Sequence, residues 1–358
     1  MMTTNHATPQ DPTPVVAGVD THQRTHHAVV LTETGVLLAD REFPVSRAGY
    51  AALVDWVAGH GPITAIGVES TGSYGAGLTV HLLAAGIEVI EVNRPDKTTR
   101  ARRGKSDVID AESAARAVLN GTATARPKVK TGVVEAIRVI KVPRDRAVKD
   151  RTAAYGQLRD LITTAPAVIH DELIGCTARQ RVTRAAGYRP DGARLADPVQ
   201  ATKHALRMIA RRIQALDAEI TAADKTLRVL TRQAAPSVMA MPQVGVQTTA
   251  QLVITAGQNI ERMHSEAAFA ALCGVSPIPA SSGHTSSGRV RLNRGGDRQA
   301  NSALYMVIIG RLRRDPDTQA YFHRRTSEHK TRAETIRCLK RHLARTIYRN
   351  LKTDLMTP

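Results

Sequence analysis

Cysteine is scarce in this chain: Cys176, Cys273 and Cys338 stand far apart among 358 residues, with no Cys-x-x-Cys pair. That spacing argues against a disulfide framework and against a thiolate zinc site, and it fits a reducing cytoplasm. Long apolar runs are missing as well. No segment approaches the roughly 20 residues that span a bilayer, and the polar start from Met1 to Pro14 lacks a signal-peptide core. The expectation is a soluble, cytoplasmic protein with no membrane partner, whose residues 1–14 form a disordered lead-in. Acidic side chains are outnumbered: 32 Asp and Glu stand against 50 Lys and Arg, a formal charge of +18. Such a surface attracts polyanions, because each cation placed on a phosphate releases a condensed counterion. Nucleic acid is therefore the leading partner class.

Apolar residues make up 42% of the sequence, ample for real cores, and 358 residues suit two or three units joined by a helical connector. Val15 to Val19, His27 to Thr32 and Val36 to Phe43 read as three short strands in a meander, with a turn at Glu33-Thr34-Gly35. Ser46 caps a helix through Trp56, Ile63 to Glu69 is a strand, Gly77 to Ala85 a helix, and Ile87 to Val92 a last strand. Three strands followed by alternating helices and strands is the order of a ribonuclease-H-like α/β layer. Ser106 caps a further helix from Asp107 to about Leu119.

Beyond this layer the pattern becomes helical. A basic helix is expected to start after Pro143, with Arg144, Arg146, Lys149 and Arg151 near its head, as either a phosphate track or a solvated face. Leu206, Ile209, Ile213, Leu216, Ile220, Ala223, Leu227 and Leu230 recur by three and four. That heptad pattern predicts a coiled-coil or hairpin stalk, or one long amphipathic helix packed on its own domain, ending at Pro236. Met241-Pro242-Gln243-Val244-Gly245 then turns into a helix from Gln247 to Ala256, a weak sign of anion binding at a helix start.

Cations cluster in two places. Arg100, Arg102, Arg103 and Lys105 precede the Ser106 cap, and an arginine-dense stretch opens with Arg289, Arg291, Arg294 and Arg298 and continues to Arg349. Arginine's planar fork suits bidentate phosphate contacts, so both runs are candidate nucleic-acid contacts.

Asp20 closes the first strand and Glu69 the fourth, while Asp107 and Asp110 stand three apart on one helix face. If the two strands are neighbours, four acids converge on one edge. Two like charges 4 Å apart repel by about 4 kcal/mol at an effective dielectric near 20, so a cluster of this kind calls for a cation. Hard oxygen ligands select Mg²⁺ or Mn²⁺, and a pair of such ions would serve an in-line phosphodiester displacement. The nearby histidines His22, His26 and His27 read as structural or DNA-facing.

Pro277-Ile278-Pro279-Ala280-Ser281-Ser282-Gly283-His284-Thr285 is too rich in Pro, Ser and Gly for regular structure and should be a loop with exposed hydroxyls. A free serine is a weak nucleophile that needs a base or a metal beside it. Gly18-Val19-Asp20, Val68-Glu69-Ser70-Thr71-Gly72, Lys105-Ser106-Asp107-Val108-Ile109-Asp110-Ala111, Met241-Pro242-Gln243-Val244-Gly245, and Pro277 through Ser281-Ser282-Gly283 to Arg294-Gly295-Gly296-Asp297-Arg298 together form a specific set. Over nearly its whole length the chain resembles the DEDD-type transposases of insertion sequences related to the Piv invertase, the bridge-RNA-guided recombinases.

That resemblance implies an α/β plus α protein. It would have a RuvC-like (ribonuclease-H-like) DEDD nuclease domain over residues 15–165, a helical coiled-coil linker over 166–236, and a mainly helical C-terminal transposase domain over 237–358. It implies catalysis by Asp20, Glu69, Asp107 and Asp110 with bound metal and a nucleophilic Ser282 or Ser281. A second triplet, Ser286-Ser287-Gly288, stands close by. The implied partners are DNA, a noncoding guide RNA and further copies of the chain, as a dimer or tetramer. The nearest rival is a RuvC-type endonuclease that cleaves branched DNA by water attack; a further one is a nucleic-acid-binding protein whose acids are structural.

Overall fold

A computed structural model describes residues 13–93, 106–279, 290–293 and 295–356. The chain divides into two compact units between Lys130 and Thr131. In the first, Val15–Thr21 (β1), Thr25–Thr32 (β2) and Leu37–Pro44 (β3) form the expected antiparallel meander. Ile63–Glu69 (β4) and Val89–Val92 (β5) join in parallel, giving the order β3-β2-β1-β4-β5. Arg47–Ala58 (α1) and Ala76–Ala84 (α2) link the strands, and Asp107–Leu119 (α3) follows. Both capping serines act as expected: Gly49 N donates to Ser46 Oγ at 3.0 Å, and Ile109 N to Ser106 Oγ at 3.3 Å.

β1 is buried along its whole length because both of its faces are covered. Val15, Ala17 and Val19 pack with Leu53 and Val57 of α1 and Leu78 and Leu82 of α2. On the opposite face Val16 joins Val29, Leu31 and the α3 residues Ala111 and Ala115. Full burial of each larger side chain contributes about 1.5–3 kcal/mol. Two glycines set how closely α3 lies on the sheet. A Cβ on Gly18 would sit 2.1 Å from Ala111 O and 2.3 Å from Ala115 N, and one on Gly67 would sit 2.8 Å from Val118 Cγ2 and 2.9 Å from Ala114 O. The helix backbone therefore occupies space that any other residue would fill.

The second unit is mainly helical: Gly132–Thr163 (α4), Ala167–Ile174 (α5), Ala178–Ala186 (α6), Pro198–Ala234 (α7), Pro236–Met239 (α8), Val246–Ala256 (α9), Glu266–Leu272 (α10), Arg298–Arg314 (α11), Pro316–Ser327 (α12) and Arg332–Met356 (α13). Its two short strands, Pro277–Pro279 (β6) and Val290–Leu292 (β7), pair antiparallel. The expected boundaries at 165 and 236 fall inside this unit. None of the described helices is long and apolar enough to cross a membrane.

The structure corrects two expectations here. Pro143 does not precede a helix but lies within the 32 residues of α4. A proline removes one backbone bond, and α4 is clamped along its length to α7, with Arg144 Nε 2.8 Å from Asp224 Oδ1 and Arg151 Nη1 2.7 Å from Asp217 Oδ1. The basic residues after Pro143 are thus tied to acids of their own unit, Arg146 also pairing with Asp150. The second correction concerns Pro277–Pro279, expected as loop and found as strand. Prolines two apart lose N–H groups on the same side, and a two-stranded ribbon has an outer side where none is needed.

The heptad pattern is an intramolecular one. Leu206, Ile213, Ile220 and Leu227, seven apart, are the buried row of α7. Near the α7 start this row packs with Ala154, Leu158 and Ile162 of α4, Ile169 and Leu173 of α5, and Val182 of α6. Near its end Leu227 joins the main core with Ile137, Leu252, Phe269, Leu304 and Leu343.

Candidate metal centre

Strand register places the first two acids. β1 and β4 run parallel with Gly18 beside Gly67 and Val19 beside Val68, so Asp20 and Glu69 are the next pair. Alternate residues share a face, which puts both carboxylates on the side of Gly18 and Gly67, where α3 packs. Thr21 Oγ1 donates to Glu69 O at 3.1 Å and ties the two strand ends together. The third element arrives from above: with Ser106 as cap, Asp107 and Asp110 fall in the first turn of α3. The close seating of α3 on the two glycines brings that turn to the strand ends.

Asp20, Glu69 and Asp110 are buried, at 7%, 3% and 5% exposure, and Asp107 is half-buried. Burial pushes the Asp20 carboxyl above the ordinary carboxylate range; His22 opposes the shift, and Asp110 and Asp107 add to it. The sequence reading missed His22. Its Nε2 lies 3.1 Å from Asp20 Oδ2 and 3.3 Å from Asp107 Oδ1, and one ligand atom from each of the three residues falls within 4.8 Å of the others. The signal was present, since His22 follows Asp20 by two in extended chain and so returns to the same side. The other two histidines are structural: His26 is buried and stacks on Tyr50 at 5.7 Å, and His27 Nε2 lies 2.8 Å from Asp40 Oδ1.

Several acids gathered at a buried edge, with one carboxyl raised by its burial and further by its acidic neighbours, form a donor set that a divalent cation fits. His22 adds an imidazole nitrogen to the carboxylate oxygens of Asp20 and Asp107. β4 ends abruptly after Glu69 because Ser70 takes φ +51, a left-handed conformation that side chains rarely adopt. Ser73 N and Gly75 N both donate to Ser70 O and close the turn. A β-branched residue pays more for this conformation. Ser70→Val should destabilise the metal-free protein by about 1–2 kcal/mol in denaturant titration, while Ser70→Gly should not; equal stability of the two variants would count against a strained turn.

Among the other candidate residues, Arg291 on β7 and Arg298 at the start of α11 are exposed. Ser281, Ser282, Arg100, Arg102, Arg103, Lys105, Arg289 and Arg294 lie outside the described residues, as do residues 1–12 of the lead-in. Not every arginine of the final stretch is available for phosphate: Arg345 Nε lies 2.8 Å from Glu266 Oε1, and Arg311 Nε donates to Pro242 O at 3.2 Å.

Residues 17–165 match a transposase model for the DEDD proteins of IS110 elements, and residues 235–323 match one described as the transposase of the IS116/IS110/IS902 family. The chain is 24% identical to the 42 kDa protein of insertion element IS900 from Mycobacterium paratuberculosis, over 95% of this chain and 96% of that one. It is also 24% identical to the 43.6 kDa protein of insertion element IS110 from Streptomyces coelicolor, over 94% of each. The first model spans the acid-bearing sheet and α3, the second spans the ribbon and the helices around it, and the chain belongs to the IS110 family of insertion-element transposases.

Proposed function

We propose that this transposase cuts and rejoins DNA at a RuvC-like acidic centre, formed by Asp20, Glu69, Asp107 and Asp110, acting with a serine nucleophile. Ser282 is preferred to Ser281 because the residue after it, Gly283, carries no side chain to crowd a phosphate. The observation that carries the reading is the arrival of carboxylates from β1, β4 and α3 at one buried edge. A divalent ion held there, Mg²⁺ or Mn²⁺, supplies the positive charge that lowers the pKa of an attacking hydroxyl and offsets charge building on the phosphate. Asp20 and Asp107 would hold it, with Asp110 and Glu69 alongside and His22 between the first two.

In this scheme the serine Oγ bonds to phosphorus as the P–O bond to one DNA end breaks, and the hydroxyl proton leaves to water. The phosphoserine conserves the bond energy, so a hydroxyl from a new DNA end can displace the serine without a nucleotide cofactor. The resemblance to bridge-RNA-guided recombinases extends the reading: a noncoding guide RNA would choose the target, Arg100, Arg102, Arg103, Lys105, Arg289, Arg291, Arg294 and Arg298 would contact nucleic acid, and catalysis would await a dimer or tetramer.

The alternative, a RuvC-type endonuclease, uses the same acids and attacks with water. Denaturing gels after incubation with labelled element-end DNA, guide RNA and Mg²⁺ separate the two. A covalent protein–DNA adduct should form with the wild type and Ser281→Ala and vanish with Ser282→Ala. Cleavage that proceeds in all three proteins without an adduct would establish water as the nucleophile.

A further inference from the structure

The second unit holds a cationic cleft that the acidic centre does not use. It has a volume of about 830 Å³, and Arg298, Asn301, Arg332, Arg337 and Lys340 line it, with Asn293 just past β7. A neighbouring cleft of about 350 Å³ shares Arg337 and Lys340 and adds Pro277 of β6 and Arg291 of β7. Both therefore open at the foot of the β6–β7 ribbon.

The carboxylates nearby are committed elsewhere. Asp297 Oδ1 accepts from Gln299 N and Ala300 N as the cap of α11, and its Oδ2 accepts from Thr255 Oγ1 at 2.6 Å and Gln251 Nε2 at 3.3 Å. Glu334 Oε2 accepts from Thr331 N and Oγ1 at the start of α13, and its charge also acts on Arg337 without forming an ion pair. Arg298, Arg332, Arg337 and Lys340 make no ion pair among the described residues.

Lys340 is the unusual member, a lysine only 7% exposed. Its Nζ donates to Asn301 Oδ1 at 2.7 Å, and Asn301 is itself fixed by donating from Nδ2 to Cys273 O at 3.1 Å and Gly274 O at 2.8 Å. One of three ammonium protons is thus used on a rigid acceptor. Burial and the Arg337 charge push this amine below its ordinary range. A buried ammonium without a counter-charge is costly, and an anion would relieve it.

We propose that the cleft seats a backbone phosphate of DNA, gripped by Lys340 Nζ and the guanidinium groups of Arg337 and Arg298, next to the two strands that flank the serine segment. This rests on the transposase reading and deepens it by naming a phosphate site in the second unit. DNA is favoured over a small anion because the cations extend along an open cleft, where successive phosphates can lie.

The test is fluorescence anisotropy of a short labelled DNA duplex with the full chain in EDTA, over a series of salt concentrations, for wild type, Arg337→Gln, Arg298→Gln and Lys340→Met. A labelled RNA hairpin is titrated in parallel. Each variant should bind DNA about 5- to 10-fold more weakly and flatten the salt dependence by about one unit of slope. Lys340→Met should do so without a lower melting temperature, because it removes a buried charge; the two exposed arginine variants keep the test decisive if it misfolds. Unchanged DNA affinity and slope in the arginine variants, or a loss confined to RNA, overturns the proposal and leaves the transposase reading standing. Failure of the wild type to bind DNA would overturn that reading instead.

Discussion

Asp20→Asn should leave the metal-free protein more stable than the wild type and unable to cut DNA. Both effects come from one charge. Burial is the main penalty on the Asp20 charge, repulsion from Asp110 and Asp107 adds to it and His22 offsets part, so removing the charge should return on the order of 1–2 kcal/mol. The pH dependence follows the same logic. A carboxyl raised in the folded state holds its proton there more tightly than in the unfolded chain. Wild-type stability should therefore fall as pH rises from the ordinary carboxylate range through the raised value, and the deficit should persist above it. Asp20→Asn should lack that slope.

Added Mg²⁺ or Mn²⁺ should raise the wild-type melting temperature by mass action and leave the variant's nearly unmoved. Cleavage should drop by about 10³-fold or more, since several kcal/mol of charge stabilisation are lost and each 1.4 kcal/mol is a factor of ten. A variant that still cleaves at the wild-type rate, or that shows the same metal-dependent shift, would remove Asp20 from the centre.

Gly18→Val should be nearly as damaging, though the residue touches no substrate. The new Cβ would lie 2.1 Å from the carbonyl oxygen of Ala111, and backbone cannot fold aside as a side chain can. α3 would have to lift off the sheet, at a cost of about 1–3 kcal/mol or more, and Asp107 and Asp110 would move with its first turn. Metal-induced stabilisation and cleavage should therefore fall together. Gly156→Ala in α4 is the matched control: nothing lies within 4 Å of its Cβ, so it should raise stability by about 0.5–1 kcal/mol. Thermal melts with and without Mn²⁺ read out both variants. If Gly18→Val kept wild-type stability and metal response, close seating of α3 would not be what assembles the centre.

The parts of this arrangement that sequence discloses are those fixed by local rules. Short apolar runs marked β1 and β4, which are buried on both faces, Ser46 and Ser106 announced their helices through the caps they make, and an acid closing each of the two strands marked the edge. What was hidden depends on tertiary contact. Pro143 looks like a break until α7 lies alongside to hold the helix. Lys340 is one cation among many in an arginine-dense stretch, and only the packing of α13 against α11 buries it. His22 lies between these cases: its spacing from Asp20 was readable, but the neighbouring His26 and His27, which do structural work, drew the whole cluster toward a structural reading.

The two long helices of the second unit have a mechanical consequence. At 1.5 Å per residue the 37 residues of α7 extend for about 55 Å. One end is anchored in the main core through Leu227 and Ile137, and the other carries a separate packed head built from α5 and α6. A rod of that length is a lever. By plain geometry a tilt of about 5° at its root would sweep the head through about 5 Å, a little under one helical turn of rise, so small adjustments in the body would be delivered, magnified, to whatever the head touches.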